Sequence, residues 1–227
     1  MQLPRYFSKR PPVATDPATL AAFERLYAAA VMPGTGREID YTLAVPKWQF
    51  LCWLTDTRDI LLHGSGNGGI VEFEPRQSND IEEFGNRSAV YAASDGIWPM
   101  FFAVMDRDRY VRSLTNACFR VVEAGGTLSE PYYFFSINGD ALPHQPWRHG
   151  TIYLLPRGTF EQQPVQSSRG GQVEIAQWAS LVPVRPLARL AVAPADFPFL
   201  SQIYAHDPAL VRERAAREPD GFPWMDE

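Results

Sequence analysis

Helical periodicity near the start of the chain, followed by a long stretch dominated by short strand patterns, predicts an α+β fold. Two further observations agree with that class. Strands and helices do not alternate as a doubly wound sheet requires, and the chain has no repeats, heptads or low-complexity tracts. Its 227 residues suit one sizeable core, so a single domain is expected.

Residues 1–15 are polar and rich in proline, and read as a loosely ordered arm. Residues 16–56 read as a helical lead-in. Asp16-Pro17 has the form of a helix start, an N-cap followed by proline in the first turn, and Leu20, Phe23, Leu26 and Tyr27 share one face. That helix runs to about Val31 and is stopped by Pro33-Gly34. After Pro46, Trp48, Leu51 and Cys52 fit a short amphipathic helix over Lys47 to Thr55, with an alternating strand as the competing pattern.

A mixed α+β core is expected over residues 57–200. Ile60-Leu61-Leu62 is a buried-strand run that leads into His63-Gly64-Ser65 and a glycine-rich loop. Val71 and Phe73 alternate with Glu72 and Glu74 as an edge strand closed by Pro75. Ala89 to Ala92 is another strand, and Asp95 caps a helix from Trp98 to Met105. Further strands are expected at Tyr132–Ile137, at Thr151–Leu155 and within Trp178–Val192. A C-terminal helix, Pro208 to Arg217, and a tail complete the chain over residues 201–227.

Composition narrows the function classes. The chain is 45% hydrophobic and 21% charged with a formal net charge of −5, which suits a folded globular protein and argues against a general nucleic-acid binder. Much of the acidity is local: between His63 and Asp95, six acids stand against two arginines, a balance of −4. The 20 prolines, close to twice the usual ~5%, favour short elements joined by stiff loops. No apolar run reaches the ~18 residues of a membrane helix, and the first residues carry charges and prolines where a signal peptide is apolar. The expected setting is therefore cytoplasmic, away from membranes. Cys52 and Cys118 are too few for a disulfide framework or a four-cysteine zinc site, and read as small buried residues.

The densest chemical signal is His63-Gly64-Ser65-Gly66-Asn67-Gly68-Gly69. Its glycines satisfy GxGxxG in letter only, because a strand-like segment ending in proline follows where a phosphate-binding helix must begin. No glycine-lysine-serine or glycine-lysine-threonine triplet exists, which excludes the phosphate loop. A histidine ending an apolar strand can offer one ring nitrogen to a ligand, while the glycine beside it admits a flat group to the backbone. Tyr91, on the next strand, supplies an aromatic face. The competing account makes His63 a strand cap, the glycines a hairpin and Tyr91 part of the core.

Leu61-Leu62-His63-Gly64-Ser65 resembles the first nicotinamide-binding motif of poly(ADP-ribose) polymerase-type ADP-ribosyltransferases. Ala89 to Ser94, followed by the Trp98–Met105 helix, is similar to their second motif. The resemblance covers roughly residues 60–106 and 171–192, and implies a split β-sheet core with N-terminal helices. It implies NAD as the dinucleotide partner and substrate, with no metal. By resemblance His63 would bond the nicotinamide ribose, the Gly64 backbone would grip the carboxamide with Ser65 assisting, and Tyr91 would stack on the nicotinamide. The third motif is a glutamate that stabilises the sugar cation formed as nicotinamide leaves. Two positions compete for it: Gln177 in Gln177-Trp178-Ala179-Ser180 fits the strand pattern, and Glu174 in Gly171-Gln172-Val173-Glu174 resembles the Gln-x-Glu of the toxin-type branch. With a glutamate there, the implied reaction is ADP-ribosyl transfer or NAD glycohydrolysis to an unspecified acceptor. With Gln177 there, the alternative is a catalytically inert nucleotide- or partner-binding domain.

Weaker signals have ordinary readings. His144 and His149 offer metal-ligand chemistry in a Pro/Trp loop, but isolated histidines there are usually structural. Asp106 to Arg109, with Arg112 and Arg120, offers phosphate contacts or a self-paired charged face. Glu82 and Glu83 offer a carboxylate pair but read more simply as exposed loop charges. Trp147, Phe222 and Trp224 offer a partner-facing surface but read more simply as a Pro/aromatic tail folded onto the core.

Overall fold

A computed structural model describes residues 3–78, 83–168 and 171–225. The fold is α+β, with four α-helices and two largely antiparallel sheets among the described residues. In chain order the first elements are β1 (Ser8–Lys9), α1 (Pro17–Leu26), α2 (Lys47–Thr57), β2 (Ile60–Ser65), β3 (Arg76–Gln77) and β4 (Ser88–Ala93). Then come α3 (Trp98–Val104), β5 (Leu114–Val122), β6 (Tyr132–Asn138), β7 (Gly150–Pro156), β8 (Glu161–Gln162) and β9 (Gln166–Ser168). The chain ends with β10 (Gly171–Ile175), β11 (Gln177–Ser180), β12 (Ala188–Val192), β13 (Tyr204–His206) and α4 (Pro208–Arg217).

Local chemistry accounts for the helices. The Asp16 carboxylate accepts from the Thr19 N–H at 2.9 Å, and Asp207 accepts from the Ala209 and Leu210 N–H groups, so α1 and α4 both start at Asp-Pro. Residues 27–31 extend α1 by one wide turn, closed by the Met32 N–H on the Tyr27 carbonyl at 3.0 Å. Asp95 closes the first turn of α3 by accepting from the Ile97 and Trp98 N–H groups at 2.8 and 2.7 Å.

Sheet A runs β1-β6-β5-β10-β9, with β13 parallel to β6, and sheet B runs β12-β7-β2-β4-β11-β8, with β3 beside β4. Residues 171–180 pass from one sheet into the other. At the crossing Ala176 donates to the Cys118 carbonyl of sheet A and accepts from the Ser94 N–H beside sheet B, both at 3.0 Å. Helix α3 lies between the sheets. Six of its seven residues are buried, and Phe101 packs on Phe135 of β6 with ring centres 4.7 Å apart. On the other side its backbone rests directly on sheet B, where a Cβ at Gly64 would run into the Pro99 carbonyl and one at Gly150 into that of Ala103. A single large cluster built from α1, α2, α3 and both sheets forms the core. Each fully buried Phe or Leu in it contributes about 1.5–3 kcal/mol.

One expectation needs correction, one choice between two patterns is decided, and one strand is added. The edge strand over Val71–Glu74 is one isolated bridge, Phe73 to Val184, and Val71 is 77% exposed. The N–H donors that would extend the ladder on either side belong to positions 75 and 186, both prolines, so only β3 pairs further on. The alternating-strand option for residues 47–55 does not hold, because α2 buries Phe50 through Leu54 on a helix. Residues 114–122, unassigned from the sequence, form β5, at nine residues the longest strand described.

Candidate functional site

His63 lies near the end of β2, where β2 and β4 part company. Only Leu62 and Ala93 are in register between them, whereas β2 and β7 stay paired from Ile60–Pro156 through Ser65–Thr151. The imidazole bridges the parting strands, with Nδ1 2.7 Å from the Tyr91 carbonyl oxygen. A carbonyl only accepts, so Nδ1 carries the proton and Nε2 presents its lone pair. Burial pushes the His63 pKa below the usual imidazole value, and the bond to the Tyr91 carbonyl opposes that shift. The ring lies 4.6 Å from that of Phe73, which in turn meets Tyr153 edge-on at 5.1 Å. No hydrogen-bond partner for Nε2 is found among the described residues, and the residue retains partial exposure.

Side-chain direction separates the expected site residues. Along a strand, neighbours point to opposite faces. Leu61 and His63 belong to the outer face of sheet B, with Tyr153, Phe73 and Trp178. Leu62 and Gly64 belong to the face that carries α3. Tyr91 is two residues from Ala93, which packs toward α3, and stands opposite Ala179 in register, so its ring lies on the α3 side of the sheet. The Tyr91 hydroxyl accepts from the Arg87 N–H at 2.8 Å and donates to the Phe84 carbonyl at 2.9 Å. Tyr91 thus meets His63 through its backbone and not through its ring.

The two third-motif candidates stand on different sheets. Glu174 faces Arg120 across β10 and β5 of sheet A, on the side opposite Val173 and its apolar cluster. Gln177 faces Ala93 across β11 and β4 of sheet B, on the same face as Tyr91. The fold brings Tyr91 and Gln177 to one face, and places His63 on the other.

The glycine loop after His63 is tied up by its own contacts. Asn67 N–H donates to Ser65 Oγ at 3.1 Å and Gly69 N–H to Asn67 Oδ1 at 2.9 Å. The Tyr153 hydroxyl accepts from the Ile70 N–H at 3.0 Å and donates to the Asn67 carbonyl at 2.7 Å. The Arg148 guanidinium packs against Gly66 and pairs with Asp108. Amides bonded in this way do not point at a phosphate.

The other sequence signals resolve into structural roles. His144 stacks on Tyr110, ring centres 5.0 Å apart, and no group of three or more His, Cys, Asp or Glu that would hold a metal is found among the described residues. Arg148 takes up Asp106 and Asp108, and Arg112 takes up Asp140. Cys52 and Cys118 are buried, and desolvation raises both thiols well above the usual range, which disfavours the thiolate. Phe222 folds back onto Phe7 and Phe134. Glu82 lies outside the described residues. Two surface concavities of 290 and 400 Å³ touch none of His63, Gly64, Ser65, Tyr91, Glu174 and Gln177, and Trp147 lines the larger of the two.

One constellation had no sequence assignment. His206 of β13, 6% exposed, stands between two hydroxyls: Nε2 is 2.9 Å from Ser113 Oγ and Nδ1 is 2.9 Å from Ser136 Oγ. Burial lowers its pKa below the usual value, and Asp207 partly opposes this. The Ser113–His206 pair has nucleophile-and-base geometry. However, the Arg112 and Ser113 N–H groups both donate to Asn138 Oδ1, so neither is available to an oxyanion. The available signal was Ser136 and Asn138 inside the apolar run Tyr132–Asn138, since polar residues buried in a strand require partners.

No helix among the described residues is long and apolar enough to cross a membrane. The chain matches no protein-family model, no curated protein and no solved structure in the comparisons made.

Proposed function

We propose that this chain binds a ribose-bearing nucleotide of the NAD type at the corner of His63, and that it does so without transferring ADP-ribose. The observation that carries the proposal is the state of the imidazole: its Nδ1 proton is held by the Tyr91 carbonyl, and its Nε2 lone pair is left for a ligand hydroxyl. The depressed pKa keeps the ring neutral, and so able to accept, near neutral pH. Transfer chemistry needs a carboxylate beside the same ribose. Glu174 belongs to sheet A and Gln177 to the opposite face of sheet B, and neither favours that step. This leaves the binding reading ahead of the transferase reading that the motifs also allow.

Calorimetric titration with NAD and with ADP-ribose, joined to an assay of free nicotinamide, tests the proposal. Binding by both ligands is expected, weakened about tenfold by His63→Ala, the value of one good hydrogen bond, and unchanged by Glu174→Ala. No nicotinamide release is expected. Release that Glu174→Ala abolishes would establish the transferase instead, and no binding of either ligand would remove the nucleotide reading altogether.

A further inference from the structure

We propose that the C-terminal segment from Tyr204 to Met225 is an acid-released cover over the outer face of sheet A, latched where His206 sits between the hydroxyls of Ser113 and Ser136. The segment is one unit. The Arg214 guanidinium donates to the Trp224 carbonyl at 3.0 Å and the Trp224 indole N–H donates to the Glu218 carbonyl at 2.9 Å, which ties the tail to α4. Helix α4 buries none of its own residues. Leu210, Val211, Arg214 and Ala215 of α4 are half-buried, and the two ends of the unit are fixed by further contacts. At one end Phe222 meets Phe134 edge-on at 5.5 Å and lies 6.1 Å from Phe7. At the other, β13 pairs with β6 over three residues only, and Tyr204 stacks on Phe134 at 5.8 Å. Beneath lies an apolar patch of Ala117, Phe119 and Val173, which the tail and the N-terminal arm cover together.

The latch works in one protonation state. Ser136 Oγ donates to the Thr115 carbonyl at 3.3 Å, so it accepts from Nδ1–H of His206. Nε2 is then the unprotonated nitrogen and accepts from the Ser113 hydroxyl. A second ring proton on Nε2 would confront the Ser113 proton, turn that hydroxyl away and leave a cation in a nearly closed site. The charged groups around it offer limited relief. Asp207, the next residue, is committed through Oδ1 to the first turn of α4. Asp140, beyond the register partner Asn138, is paired with Arg112 and bonded to the Asn138 amide. Among the charges of α4, Arg214 is turned to Trp224. Burial holds the His206 proton affinity down, and the neighbouring Asp207 opposes it.

Hydrogen exchange on the intact protein, corrected for intrinsic rates and compared at about pH 7.5 and about pH 5, reads the latch directly. Protection over residues 204–225 is expected to fall severalfold at the acid value, because the open segment takes up the proton that the closed latch resists, while β5 and β6 keep theirs. His206→Gln, which keeps a donor and an acceptor without a titrating ring, is expected to abolish the difference, and His63→Gln to leave it. Should the glutamine variant fail to fold, the His206 ring resonances of the wild type must titrate over the same range as the exchange. Equal protection at both values, loss shared by β5 and β6, persistence of the loss in His206→Gln, or a titration that does not coincide would each overturn the proposal.

Discussion

His63 and His206 are both desolvated histidines with lowered proton affinity, yet they are held in opposite ways. His63 has one nitrogen bonded to backbone and the other without a protein partner among the described residues; His206 has both nitrogens bonded to serine hydroxyls. The first environment fixes a tautomer and exposes a lone pair, which is what a ligand site needs. The second uses up the whole ring, which is what a structural joint needs. Burial alone does not separate the roles; the account of each nitrogen does. The supports differ as well, since His63 sits on a strand pressed onto α3 while His206 sits on a three-residue strand at the side of β6.

The largest effect expected from that difference lies at Gly64. A methyl there meets the Pro99 carbonyl, which is fixed in the first turn of α3, so sheet or helix must move. Gly64→Ala should cost about 3 kcal/mol or more. In a chain of this size that lowers the melting temperature by roughly 6–12 °C. Gly66→Ala, two residues on, would meet the Arg148 side chain, which can swing aside, and should cost less than about 1 kcal/mol. Equal melting temperatures for the two variants would mean that α3 does not press on β2.

These contacts also mark which parts of the molecule can be read from the sequence. The Asp-Pro starts of α1 and α4, the Asp95 turn before α3 and the apolar run of β2 are local signals, and the fold contains each of them. Strand β5 was hidden because Leu114 to Val122 is covered on both faces, Cys118 inward and Phe119 outward, so polarity does not alternate cleanly. The site was hidden for a different reason. His63 and Tyr91 lie on strands whose periods are readable, but the phase between the strands is not, and a shift of one residue exchanges the faces. The Ser113–His206 contact spans 93 positions and leaves no local trace.

A second, intermediate effect concerns acid. Both histidines bind protons less readily folded than unfolded, so below the ordinary value of 6.5 the unfolded chain takes up more protons. Stability is therefore fully present above that value and is lost as pH falls below it, by up to about 1.4 kcal/mol per pH unit for each histidine. Urea unfolding across this range should show the loss, and His63→Gln and His206→Gln should each remove part of it. The two parts differ in what accompanies them: His63→Gln should alter nucleotide affinity, and His206→Gln the protection of the C-terminal segment. A flat stability profile in the wild type would show that neither ring resists protonation in the fold.

The smallest effect probes the face on which Tyr91 lies. Its hydroxyl joins the Arg87 N–H to the Phe84 carbonyl, so Tyr91→Phe should lower stability by about 1 kcal/mol, the net worth of an intramolecular hydrogen bond. The backbone carbonyl that holds His63 is untouched by that change, and the ring that remains still packs near Phe84 and Ala179. Nucleotide affinity should stay as in the wild type, because the tyrosine ring and the imidazole are on opposite sides of sheet B. If Tyr91→Phe or Tyr91→Ala weakens binding as much as His63→Ala does, one ligand must reach both faces at the point where β2 and β4 separate. The gap beyond Leu62 and Ala93 would then be the binding cleft itself, and the stacking role implied for Tyr91 by its motif would regain its footing.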